Sequence, residues 1–204
     1  MTLKNQTEPS LSLSMAPDQV SVFFPFLQSG FMLKTRVGCS VKTLLCEHLG
    51  ISPEYLEDRI QTIFVNGKPV DDMDSAIIRE GTVLALSAAM PGLVGATLRR
   101  GVHLAAFRST LTHQKEDGAD APDGEGIIVM KLFNLLIREL GPAFLETGVW
   151  IKKDDLKDFL SRQPDGFWAG CKAVGKDGKE TGAGKPPDLD WSGESERILL
   201  KILP

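Results

Sequence analysis

Polar residues with two prolines fill positions 1–17, which reads as a flexible N-terminal arm. Beyond it, apolar and polar positions change period several times. Val20–Phe26 (VSVFFPF) is β-branched and aromatic and predicts a strand, with Pro25 at an edge or bulge. Gln28-Ser29-Gly30 predicts a turn, and Phe31–Val37 a return strand. Val41, Leu44, Leu45, His48 and Leu49 then recur at helical spacing after Ser40, an N-cap, and before Gly50, a left-handed stop. Ser52-Pro53-Glu54 starts a second short helix, with proline where its missing N–H costs little. Ile60–Val65 is an apolar strand running into Asn66-Gly67, the strongest short hairpin signal, because both residues tolerate positive φ. Lys68–Val70 returns, an acidic turn Asp71-Asp72-Met73-Asp74 follows, and Glu80-Gly81 leads into a last strand, Thr82–Ser87.

The second half begins with Gln114–Gly126, acidic and almost without large apolar residues, which predicts a linker. Ile127–Leu140 is the most apolar segment and predicts a helix stopped by Gly141-Pro142. Val149–Ile151 predicts a short strand, Lys153–Arg162 a surface helix, and Phe167–Val174 a strand. Glu180–Gly193 predicts a loop, and Arg197–Leu203 a closing strand. The fold class expected is α+β: a domain at 18–113, a linker at 114–126 and a small α+β domain at 127–204.

The succession strand, strand, helix, strand, hairpin return, strand over residues 18–95 resembles the ThiS/MoaD-type sulfur carriers, small β-grasp relatives of ubiquitin. Asn66-Gly67, Pro69-Val70-Asp71 and Glu80-Gly81-Thr82-Val83 carry the resemblance. It implies a ubiquitin-like β-grasp and a non-enzymatic carrier or docking role. The partner implied is an adenylating, ubiquitin-activating-like enzyme, or an enzyme that makes or uses a pterin–molybdenum or pterin–tungsten cofactor. In that family a C-terminal Gly-Gly is adenylated and loaded with sulfur, and glycine lets the tail thread a narrow channel. Here the matching region reads Ala88-Ala89-Met90-Pro91-Gly92-Leu93-Val94-Gly95, no Gly-Gly occurs, and more than a hundred residues follow. Two readings stand: a docking-only descendant, or a precursor cut after Gly92, Gly95 or Gly101. Partner-binding candidates are Arg99 and Arg100, a local cationic patch, and Leu84 and Leu86, which share one face of their strand while Val83 and Ala85 share the other.

Charge narrows the partners. Residues 1–113 are neutral and 114–204 carry the whole formal net charge of −4. No basic stripe points to nucleic acid. No apolar run reaches the roughly 20 residues that span a bilayer. Cys39, Cys46 and Cys171 lack CxxC spacing, which speaks against a disulfide framework or a zinc site. A cytoplasmic protein without a cofactor is expected. No paired histidine motif or nucleophile elbow occurs. Asp71, Asp72 and Asp74 sit where carboxylates cap backbone N–H groups. Were the chain an enzyme, its site would lie between the domains, with Trp150, Asp165, Trp168 and Cys171 as the residues to test.

Overall fold

The computed structural model describes residues 9–100, 112–113, 123–180 and 195–204. These form mixed α/β structure in two compact units: residues 27–139, and residues 1–26 together with 140–204.

In the 27–139 unit, β2 (Phe31–Val37) leads into α2 (Val41–Thr43), which runs on in wider turns through Leu44–His48. The caps follow the sequence: Ser40 Oγ accepts from the Thr43 N–H (3.1 Å) and Ser52 Oγ from the Tyr55 N–H (3.2 Å). The second of these opens α3 (Pro53–Arg59). β3 (Thr62–Val65) turns through Asn66 (φ 51°) and Gly67 (φ 78°) into β4 (Lys68–Pro69). β5 (Val83–Ser87), α4 (Gly92–Leu98), β6 (Gly124–Phe133) and α5 (Leu135–Glu139) follow among the described residues of the unit. The sheet order is β4-β3-β5-β6-β2. Its central pair, β5 and β6, is parallel, and the other neighbours are antiparallel.

The other unit contains β1 (Ser10–Met15), a 3-10 turn Pro17–Phe23 and the start of α1 (Phe24–Ser29). After α6 (Gly141–Thr147) come β7 (Val149–Lys152), α7 (Lys153–Ser161), α8 (Asp165–Ala169), β8 (Cys171–Lys176), β9 (Lys179–Glu180) and β10 (Arg197–Leu203). The sheet order is β9-β8-β1-β10-β7. Here too the central pair, β1 and β10, is parallel and the rest antiparallel. Phe23 closes this core, with ring centroids 5.4 Å from Phe159 and 5.9 Å from Phe167.

Four expectations change. The segment 20–26 is helical, because Val20, Phe23, Phe26 and the following Leu27 are the buried positions and three- and four-residue spacing suits a helix. Residues 124–133 form a strand, not a linker end and a helix. Ile128, Met130 and Leu132 are buried while Ile127, Val129 and Lys131 are half-exposed, the two-residue period of a strand. Residues 165–169 form α8, so the strand expected at 167–174 starts at Cys171. Ser10–Met15 is a central strand, not part of a flexible arm: its serines face outward and Leu11, Leu13 and Met15 face the core. Residues 1–8 and 114–122 of the arm and linker lie outside the described residues.

Candidate functional site

A polar cleft of the 27–139 unit, about 480 Å³, opens where the end of α3, the turn after β4 and the end of α4 meet. Glu57, Gln61, Asp71, Asp72, Met73, Asp74, Arg99 and Arg100 line it. The acidic turn builds one wall. Asp72 Oδ1 accepts from the N–H of Asp74 (3.0 Å) and of Ser75 (3.3 Å), the local capping expected of such residues. Asp74 pairs with the exposed Lys42 at 3.3 Å, and the Thr112 hydroxyl donates to Asp71 at 3.4 Å.

Arg100 builds the floor, with a side chain only 10% exposed. Its Nη2 donates to the carbonyls of Ile60 (2.7 Å) and Leu56 (3.0 Å), and its Nε to Ile60 (3.2 Å). Its backbone N–H donates to the Gln61 carbonyl at 2.8 Å. The guanidinium thus satisfies carbonyls at the end of α3 that have no partner within the helix. Burial lowers its pKa, and Glu57 and Asp71 oppose that shift. Arg100 is therefore an internal anchor and not the open cationic surface expected, whereas Arg99 lines the cleft. The exposed acidic groups of the cleft are Glu57, Asp71, Asp72 and Asp74. Among the described residues no group of three or more His, Cys, Asp or Glu side chains could hold a metal ion.

Leu84 and Leu86 are both 0% exposed. They belong to the core face of β5, and it is Val83 and Ala85 that are half-exposed. Gly92 opens α4 and is exposed. Gly95 is buried within α4, where a Cβ would collide with the Met90 carbonyl oxygen. Gly101 lies outside the described residues. Leu93 (76% exposed) and Val94 (71%) stand on the outer side of α4, on the chain that leads into Arg99 and Arg100. Sequence reasoning passed over them because a seven-residue helix is too short to show a period.

The four residues set aside for an enzyme all fall in the other unit. Trp150 is half-buried in β7, and Asp165 stands in the first turn of α8. Trp168 is buried edge-on to Phe167, with centroids 5.0 Å apart. Cys171 is buried and its Sγ contacts the Ala173 carbonyl at 3.3 Å. Burial pushes the thiols of Cys39, Cys46 and Cys171 above their ordinary pKa, which suppresses the thiolate a nucleophile needs.

Compared with protein-family models, with curated proteins and with solved structures, the chain returns no match.

Proposed function

We propose that the 27–139 unit is a β-grasp whose first strand comes from the far side of the sequence, and that the protein is a docking-only relative of the sulfur carriers. The sheet order supports the fold. A β-grasp sets its first and last strands side by side and parallel at the centre, as β6 and β5 lie here. The same feature carries the functional reading. β6 lies downstream of Gly92, Gly95 and Gly101, and it is the neighbour of both β5 and β2. A cut after any of those glycines would separate the central strand from its domain. The chain after β5 is also folded as α4, with Gly95 packed, and so differs from a tail that threads a channel. These observations favour docking over the cleaved precursor.

The partner class remains the one the resemblance implies: an adenylating enzyme, or an enzyme of pterin–metal cofactor chemistry. Leu93 and Val94 supply apolar contact and the carboxylates of the cleft a charged rim, the usual anatomy of a protein interface.

Intact mass of the protein from its native cells tests this reading, together with identification of the enzymes that co-purify with it. A full-length chain bound to an enzyme of the implied class is expected, and that complex should be lost in Leu93→Asp with stability unchanged. A species ending at Gly92, Gly95 or Gly101 and heavier by oxygen-to-sulfur exchange would overturn it.

A further inference from the structure

Among the described residues the chain runs twice through one order of elements. From Ser10 to Ser87 come a strand, two short helical segments, a strand, helices, a hairpin and a last strand. These are β1, Pro17–Phe23 with α1, β2, α2 with α3, β3-β4 and β5. From Gly124 to Leu203 the same order returns as β6, α5 with α6, β7, α7 with α8, β8-β9 and β10.

The likeness reaches single residues. Phe26-Leu27-Gln28-Ser29-Gly30 leads into β2, and Phe144-Leu145-Glu146-Thr147-Gly148 into β7. Gly30 (φ 128°) abuts the side chains of Val129 and Lys131, and Gly148 (φ 116°) those of Leu199 and Lys201. The hairpins turn on Asn66-Gly67 (φ 51°, 78°) and Asp177-Gly178 (φ 50°, 78°), each followed by a lysine. Both turns grip the strand beside them in the same way. Asn66 Oδ1 accepts from the Val83 N–H at 2.9 Å, and Asp177 Oδ1 from the Ser10 N–H at 2.9 Å. The first grip stays within its repeat, whereas the second reaches from the second repeat to the first.

That crossing is general. The 27–139 unit holds β2 to β5 of the first repeat and β6, the opening strand of the second. The other unit holds β7 to β10 of the second repeat and β1, the opening strand of the first. The central parallel pair of each sheet therefore joins the last strand of one repeat to the first strand of the other, β5 to β6 and β10 to β1. The helical segment after each first strand crosses with it. Glu139 of α5 takes Tyr55 and Arg59 of α3, from the first repeat. In return Phe23 and Phe26 of the first repeat pack on Phe159 of α7, with centroids 5.4 and 4.9 Å apart. Only the order within the central pair differs: β5 stands beside its own hairpin, and β1 beside the hairpin of the other repeat. The registers at that place agree all the same. Leu84 stands between Val65 and Met130, and Leu11 between Lys176 and Leu200. Leu86 stands between Ile63 and Leu132, and Leu13 between Val174 and Ile202.

We infer that the chain is a tandem duplication whose two repeats have exchanged their first strands. Each core is then built from both repeats. β6 brings Ile128, Met130 and Leu132 to one and β1 brings Leu11, Leu13 and Met15 to the other, each at most 1% exposed. A repeat left to itself would lack a central strand, with two facing edges unpaired and its core open. The exchange is a clasp: two strands and the helical segments that follow them hold the halves of the chain together, independently of the covalent link between them. This inference does not depend on the docking role.

The exchange places register partners from different repeats side by side in both sheets. Ser14 of β1 pairs with Ala173 of β8, and Met32 of β2 with Val129 of β6, all four half-exposed. One full-length variant carries Ser14→Cys with Ala173→Cys, another Met32→Cys with Val129→Cys, and both carry a protease site in 114–122. The folded proteins are oxidised, cut at that site and run in denaturant without reductant, and linked peptides are mapped by mass. In both variants the halves are expected to run as one species, joined through the introduced pair. Free halves from either variant would overturn the inference. The chain without introduced cysteines, cut at the same site, gives a second reading. It should keep its circular dichroism and elute as one particle. Halves that part with their circular dichroism intact would equally overturn the exchange.

Discussion

Arg100 and Glu139 both hold α3, at different points and by different chemistry. Arg100 spends its guanidinium on the Leu56 and Ile60 carbonyls, and with them it fixes the chain leaving α4. Hydrogen bonds with a charged partner contribute about 1.5–3 kcal/mol each. Arg100→Ala should therefore destabilise the 27–139 unit by at least about 2 kcal/mol in urea unfolding, and Arg100→Lys by less. Glu139 accepts from the Tyr55 hydroxyl at 2.5 Å and from the Arg59 guanidinium. Arg59 and then Tyr55 hold its carboxyl below the ordinary value, while burial and the bond to Glu139 push the Tyr55 phenol up. A depressed folded pKa contributes stability that is present above the unfolded value, about 4.3 for a glutamate, and lost as pH falls through the lower folded value. The stability curve of Glu139→Gln should thus be flatter than that of the unaltered chain below about pH 4.3. Parallel curves on the acid side would show that Glu139 carries none of the acid sensitivity.

β6 shows what period-reading can and cannot do. Apolar residues on both faces hide a two-residue alternation, and a run of such residues fits a buried helix as readily as a strand. The distinction is measurable at single positions. Met130 is fully buried opposite Phe31 and Leu84, so Met130→Ala should cost about 2–5 kcal/mol. Val129, next to it and half-exposed, should cost under about 1 kcal/mol as Val129→Ala. A strand requires that contrast between adjacent residues. Where the local signal is complete within a few residues, sequence and structure agree: the Ser40 and Ser52 caps, the Asn66-Gly67 turn, and β2 and β10 residue for residue. Where an element's face is decided by partners distant in the chain, local reading failed, as in β1, β6 and the helical 20–26 segment. The candidate site divides the same way. The capping role of Asp72 was legible from its turn. The burial of Leu84, Leu86 and Arg100 was not, because only the folded sheet decides which side of β5 meets the core and where the chain after α4 returns.

Across the whole chain, the equivalence of the two units turns a topological statement into one about sequence. If β1 and β5 fill the same slot in the same register, their sequences are interchangeable at the core positions. Ser-Leu-Ser-Leu-Ser-Met at 10–15 corresponds to Val-Leu-Ala-Leu-Ser-Ala at 83–88, and both place leucine at the second and fourth positions, each at most 1% exposed. A chain carrying the 83–88 sequence at 10–15 keeps both leucines, replaces the half-exposed Ser10 and Ser12 by valine and alanine, and at the core positions loses only the methionine, now alanine. A single large-to-alanine core change costs about 2–5 kcal/mol, so the chimera should fold with a lowered midpoint. Shifting the native 10–15 sequence by one residue should be far worse. It puts serine at the three buried positions and leucine on the half-exposed face, and so reverses every side chain of the strand at once. Thermal unfolding of the two variants beside the unaltered chain separates the outcomes. A chimera as damaged as the register-shifted chain would mean that the two slots share a backbone plan but not a packing code, and the match of Leu11 and Leu13 with Leu84 and Leu86 would then carry no energetic meaning.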